Sequence, residues 1–294
     1  MKRKTPGFLD LLETFFTDYM PHSAGLSANT IKNYKYAFRL LMEYLFNERH
    51  IESGGIDFKA FDFETINGFL NWLERERGCG IATRNQRLTA LSSFAAYAQN
   101  RTLGAAVFAN VIDAIPVKTQ AVSPRISFSL DEVAVLLGLP DKNIAIGLRD
   151  CVLLNLMYAS GARAQEICDL TVRDVYFLSD ATKLTLTGKG QKTRRINIAQ
   201  PCAVLLKYFL TRRGISKQLD HYIFSSQTHE HMTTSCISET FKKYIKIAKE
   251  QNPMLFRETT YSPHTMRHTT AVHMLESGVP LMAIVDRVDS RPKE

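Results

Sequence analysis

The sequence predicts a mainly α-helical protein with a small β-hairpin, divided into a helical N-terminal domain and an α+β C-terminal domain. Three observations carry that prediction. Apolar residues recur at steps of three and four through most of the chain, which is helical spacing. One pair of alternating runs, 183–187 and 193–198, flanks glycines and lysines at 188–192. A stretch without helical period, Asp113 to Phe128, contains two prolines and reads as a linker. The boundaries expected are 1–112 for the helical domain, 113–125 for the linker and 126–294 for the second domain.

In the first domain Phe8, Leu11, Leu12, Phe15, Phe16 and Tyr19 keep helical spacing, and Pro21 is expected to close that helix. Ser27 can cap a second helix with the stripe Ile31, Tyr34, Phe38, Leu41 and Leu45. A third is expected from Phe63 to Glu76, ending near Gly78 and Gly80. A fourth begins near Thr83, with Leu88, Leu91, Ala95 and Ala98 on one side. Four short amphipathic helices make a compact module. Arg84 and Arg87 fall in the first turns of the fourth helix, where they oppose the helix dipole. Either they face phosphates, which terminal amides also bind, or they form a solvated basic surface.

The second domain opens with Ser129, Leu130, Asp131 and Glu132, a capping box. The run Cys151 to Met157, broken only by Asn155, reads as a helix buried on most sides. Gly161 supplies the turn that ends it, and Arg163 starts the next helical run with Glu166 as a local partner. In the hairpin, Leu184 and Leu186 alternate with polar residues, as do Ile196 and Ile198. Helices are expected at about 201–213 and 236–248, with a short strand, Tyr222 to Phe224, between them. Ser262 caps a further helix with Pro263 at its first position, and His264 and Arg267 share a face in its first turn.

At 294 residues the chain can bury a core in each of two domains. Hydrophobic content of 45% and charged content of 22% exclude a disordered class. A net charge of +8 favours a polyanionic partner, though many basic proteins have none. No apolar run has the length of a membrane span, and the N-terminus carries acidic residues within its apolar part, unlike a signal peptide. The five cysteines are scattered and never in C-x-x-C spacing, which points to a reducing cytosol with no disulfide framework and no cysteine zinc site.

Each charged motif has an ordinary explanation when taken alone. Arg163 and Glu166 could be a structural pair, a lysine on a hairpin tip is solvated in most proteins, and a His-x-x-Arg pair can be surface decoration. His264 and His268, one helical turn apart, and His273 suggest a metal, but no carboxylate or cysteine ligand stands at a standard spacing. Gly188-Lys189-Gly190 is not a Walker phosphate loop, because the earlier glycine and the Ser or Thr after the lysine are missing.

Taken in order, G-A-R-x-x-E at 161–166, G-K-G-x-K-x-R at 188–194 and P-H-x-x-R-H at 263–268 resemble the tyrosine recombinases, the phage-integrase and Xer-like family. The resemblance covers nearly the whole chain. It implies an N-terminal four-helix core-binding, SAM-like domain and a catalytic domain across the linker. By the same resemblance, Arg163 and Arg267 are the arginines that clamp a scissile phosphate, Lys189 protonates the leaving 5′ oxygen and His264 assists proton transfer. Planar guanidinium forks suit the charge that gathers on non-bridging phosphate oxygens. Lys192 and Arg194 on the hairpin, with Arg84 and Arg87, are the expected DNA contacts.

Double-stranded DNA and other protomers bound to it are the implied partners, in the cytoplasm and in the setting of DNA integration or a mobile element. No membrane, metal or nucleotide cofactor is implied, because a phosphotyrosyl intermediate conserves the bond energy. The pattern departs after Val285. Neither the Leu-Gly-His or Leu-Gly-Trp element nor the nucleophilic tyrosine follows, and the last tyrosine is Tyr261, upstream of His264. The catalytic domain is therefore expected to be C-terminally incomplete and the chain to bind without cleaving. The alternative is a non-catalytic DNA-binding regulator or remnant on the same fold.

Overall fold

The computed structural model describes residues 6–120 and 125–288, apart from the side chains of Ser53 and Lys189. The chain forms two compact units, one up to residue 122 and one from residue 123. The fold is mainly helical with one small antiparallel sheet, as expected.

The first unit contains α1 (Phe8–Thr14), α2 (Ala28–Asn47), α3 (Phe63–Arg75), α4 (Ile81–Ala98) and α5 (Leu103–Asp113). Side-chain oxygens of Ser27, Asp62 and Thr102 accept backbone N–H groups at the starts of α2, α3 and α5, satisfying donors that the helix cannot. Pro21 does not close the first helix. The chain continues from α1 as a wider π-helical segment, Phe15–Ser23, with Pro21 inside it and Ala24 N–H donating five residues back to Tyr19 O at 2.8 Å. Widening the helix moves the proline ring away from the carbonyl it would meet in an α-helix.

The fifth helix joins the four expected. Its sequence is apolar nearly throughout, so it shows no polar face by which periodicity could place it. Ala105, Phe108, Ala109 and Ile112 are buried, and Leu103 and Val107 are exposed. The stretch after α5, expected as linker, is tied to the first unit as far as Lys118. Asn85 Nδ2 donates to Lys118 O at 2.7 Å, and Lys118 Nζ pairs with Glu74 at 2.5 Å.

Phe8 is the hub of this unit. It is fully buried, with the rings of Phe38, Phe58, Phe61, Phe94 and Phe108 centred 4.4–6.5 Å away. One residue of α1 therefore joins α2, α4, α5 and the 58–61 turn. Edge and tilted ring contacts add to the area it buries. Replacing Phe8 by Ala is expected to destabilise the first unit by about 3–5 kcal/mol. Urea titration followed by circular dichroism checks this, and an unchanged midpoint would contradict it.

The second unit is built on α7 (Ala145–Ser160), whose residues Cys151 to Leu154, Leu156 and Met157 are all buried. Around it lie α6 (Leu130–Gly138), α8 (Ala164–Cys168), α9 (Gln200–Arg212), α10 (Thr234–Gln251), α11 (Pro263–Glu276) and α12 (Leu281–Val288). Ser129 and Glu132 form the capping box of α6. The sheet is β1 (Val175–Phe177), β2 (Thr182–Thr187) and β3 (Thr193–Ile198), in that order. Leu184 opposes Ile196 and Leu186 opposes Arg194. The segment 222–224 is not a strand. It makes one bridge, Thr171 to Tyr222, and then plugs Ile223 and Phe224 into the core.

Candidate active site

The site is built where α7 ends. Gly161 has φ of 60°, a left-handed conformation that costs a residue with a Cβ, and its N–H donates to Met157 O at 3.0 Å. The chain turns there and places Arg163 as the residue before α8. The N–H of Arg163 donates to Glu166 Oε2 at 2.7 Å and its Nη1 to Oε1 at 3.2 Å. Glu166 is 2% exposed. Across it, Arg194 Nη1 and Nη2 donate to the two carboxylate oxygens, both at 2.7 Å. Burial alone would raise the Glu166 carboxyl. The bonds from Arg194 and the Arg163 amide, with the charge of both guanidinium groups, outweigh it and hold the carboxyl below its ordinary 4.5.

The second guanidinium arrives from α11. Ser262 caps that helix and Pro263 occupies its first turn, so His264 and Arg267 lie on one early face. Arg267 Nη1 donates to Gly161 O at 2.6 Å, and its Nη2 to Val288 O at the end of α12. Thr270 on α11 donates to Tyr158 O at 2.8 Å, so α11 is bonded to α7 one turn further along. Arg163 and Arg267, 104 positions apart in number, are thus gathered at one end of α7. His264 and Arg267 line a cavity of about 640 Å³ together with Arg125, Tyr261, Thr265 and His268.

The hairpin carries Lys189 at its tip, in the turn Lys189–Gln191 between β2 and β3. Its side chain lies outside the described residues. Lys192 is exposed beside it. Arg194, expected on DNA, is corrected: it is 8% exposed, with its guanidinium spent on Glu166 and its Nε on Arg287 O at 2.7 Å. Arg84 is corrected likewise. It is 1% exposed, and its Nη1 donates to Pro116 O at 2.8 Å and to Asn85 Oδ1 at 3.1 Å. Burial lowers its guanidinium below the ordinary arginine value. Both corrections were legible. Arg84 precedes Leu88, Leu91, Ala95 and Ala98 at helical spacing, and Arg194 shares the inward parity of Ile196 and Ile198.

Arg87 is half-buried rather than bare. Its guanidinium lies 4.9 Å from the centre of the Tyr36 ring, and that of Arg39 lies 4.7 Å from the same ring. Lys32, Lys35, Tyr36 and Arg39 line one recess on α2. This basic face escaped notice, although its spacing of three, four and seven is itself a helical stripe opposite the apolar one.

Tyr261 is stacked on Phe128 with ring centres 4.7 Å apart, and its hydroxyl donates to Glu132 Oε1 at 2.9 Å. Burial and that carboxylate push the phenol up to about 12. A hydroxyl so held is a poor nucleophile. Among the described residues no cluster of three or more His, Cys, Asp or Glu could hold a metal ion. His273 is a buried structural group, with Tyr158 Oη at 2.9 Å from Nδ1 and Phe128 O at 2.9 Å from Nε2. Facing a carbonyl, Nε2 carries the proton, and Nδ1 accepts from the tyrosine.

The phage integrase family model matches residues 127–289, and the phage integrase SAM-like domain model matches residues 8–105. The chain belongs to the phage integrase family of tyrosine recombinases. It is 29% identical over 269 residues to the putative integrase/recombinase y4rC of Sinorhizobium fredii, covering 92% of this chain and 80% of that protein. With the tyrosine recombinase XerC of Syntrophus aciditrophicus it shares 26% over 287 residues, 94% of this chain and 88% of the other. In fold it is similar to the XerH site-specific recombinase bound to palindromic difH substrate, with a TM-score of 0.71 at 18% identity over 91% of this chain and 75% of that one. The Tn1549 transposon integrase in complex with transposon right end DNA gives 0.71 at 15% identity, over 94% and 90%.

In this integrase-family chain, Glu166→Gln leaves Arg194 buried without its counter-charge. The expected cost is about 3–5 kcal/mol at neutral pH. Because the folded carboxyl sits below its ordinary value, its contribution is fully present above that value and is lost as pH falls through the depressed one. Melting curves of the two proteins should therefore lie apart at pH 7 and converge in acid below pH 4.5. A constant separation down to acid would contradict the ion-pair account.

Proposed function

We propose that the chain is a site-specific DNA recombinase of the integrase type, which binds duplex DNA and holds one backbone phosphate between Arg163 and Arg267. The observation that carries this is the hydrogen bond from Arg267 to Gly161 O, which brings the second arginine to the turn that presents the first. Two guanidinium groups, one from the residue before α8 and one from α11, can each give paired N–H donors to the non-bridging oxygens and stabilise the charge that grows there during attack. We assign proton transfer to His264, which lines the same cavity as Arg267. Lys189, in the hairpin turn, is assigned the leaving oxygen by resemblance and by the suitability of an ammonium for protonating an alkoxide.

In the first unit the α2 face with Lys32, Lys35, Tyr36 and Arg39, joined by Arg87, is the part we assign to the duplex. Stacking on Tyr36 holds two planar guanidinium groups in fixed orientations, which lowers the entropy lost when they meet phosphates. The cytoplasm is the proposed compartment. Its support is that the five cysteines are all free thiols and that no described helix is long and apolar enough to cross a membrane.

We further propose that Tyr261 is not a nucleophile, because its hydroxyl is committed to Glu132. That commitment also fits the regulator reading, in which the chain occupies sites that a cleaving relative would cut. The test is binding of a labelled duplex across a salt series. Arg163→Ala and Arg267→Ala should each weaken binding and reduce the magnitude of the salt slope by about one. Any adduct stable to denaturant on a nicked suicide duplex should survive Tyr261→Phe. Salt slopes unchanged by both substitutions would overturn the phosphate assignment, and an adduct lost on Tyr261→Phe would overturn the claim about Tyr261.

A further inference from the structure

The last turn of α12 is fixed by a side chain that the recombination chemistry does not use. Arg287 is a charged residue turned inward on a helix whose buried anchor is Ile284. Its Nη2 donates to Ala159 O, in the last turn of α7, and to Asn197 O on β3 at 2.9 Å. Its own carbonyl accepts from Arg194 Nε at 2.7 Å. The Nε of Arg287 is buried with no partner among the described residues. Burial, reinforced by the neighbouring Arg194 charge, lowers its guanidinium below the ordinary arginine value. A half-buried cation in this setting is costly and persists only where the surrounding hydrogen bonds over-determine it.

Those bonds form a relay. Arg287 sets the end of α12 against α7 and β3; its carbonyl orients Arg194; Arg194 grips both oxygens of Glu166; and Glu166 holds the backbone amide and guanidinium of Arg163. An arginine offered to a phosphate must be held to within a fraction of an ångström and a few tens of degrees, and the groups behind it supply that hold. We propose that Arg287 is a positioning residue for the phosphate site, acting on Arg163 through Arg194 and Glu166. The assignment rests on the duplex reading above.

The experiment is a double-mutant cycle on the full chain, read as affinity for a labelled mixed-sequence duplex of 30 base pairs at low salt. Arg287→Met keeps most of the side-chain stem and removes the donors. It should weaken duplex binding by about tenfold, the worth of one charge-assisted hydrogen bond. In an Arg163→Ala background the same substitution should cost under about twofold, because the group it positions is already gone. A residue that only stabilises the fold would give equal losses in both backgrounds, and that additivity overturns the proposal. Should Arg287→Met fail to fold, Arg287→Lys, whose single ammonium cannot serve both carbonyls, is carried through the same cycle and decided by the same criterion. If Arg163→Ala does not weaken binding at all, the phosphate reading falls and this assignment with it; if Arg163→Ala weakens binding and the cycle is additive, only this assignment falls.

Discussion

Glu166 is the interaction on which the catalytic half depends. A carboxylate at 2% exposure survives only if it is fully answered, and here Arg194 answers it from β3 while Arg163 answers it from its own helix. The pair therefore does two jobs that pull in the same direction. It fastens the hairpin to the helical body, and it holds the backbone amide and guanidinium of Arg163 at the turn after Gly161. A neutral substitute of similar volume could fill the space, but it would give the arginine no fixed bearing.

The arrangement around Gly161 follows from that constraint. The left-handed turn frees the chain to double back after α7, and it leaves the carbonyl of Gly161 facing α11, where Arg267 takes it. A side chain at this position would also press on Thr270, whose Cγ2 would lie 3.3 Å from an added Cβ. One small residue thus permits the close approach of α11 to α7 and the bond from Arg267 to the turn that precedes Arg163. Electrostatic stabilisation of a phosphate works best when such donors are in place before the charge appears, because no reorganisation is then needed at the moment of reaction.

Much of this was legible in the sequence. The buried run before Gly161, the capping box at Ser129, the helix start at Ser262 and Pro263 and the two-stranded alternation at 183–198 all name local physics that the fold obeys. What failed was the treatment of arginine as a surface residue. Arg84 and Arg194 lie on the apolar parity of their own elements, and following the period through the charge would have buried both. Pro21 misled because a wider helical turn accommodates a proline that an α-helix rejects. The helix α5 had too little polar residue to show a face. The relay through Arg287 could not be read at all, since it joins α12, α7, β3 and α8 by backbone carbonyls, and carbonyls leave no mark in a sequence.

The central claim is that guanidinium groups from α8's leading residue and from α11 embrace a single phosphorus. A crystal structure of the chain with bound duplex measures this directly. The account predicts Arg163 and Arg267 each donating to the non-bridging oxygens of the same phosphate. Contacts of the two arginines with different phosphates, or a duplex seated away from the end of α7, would contradict it.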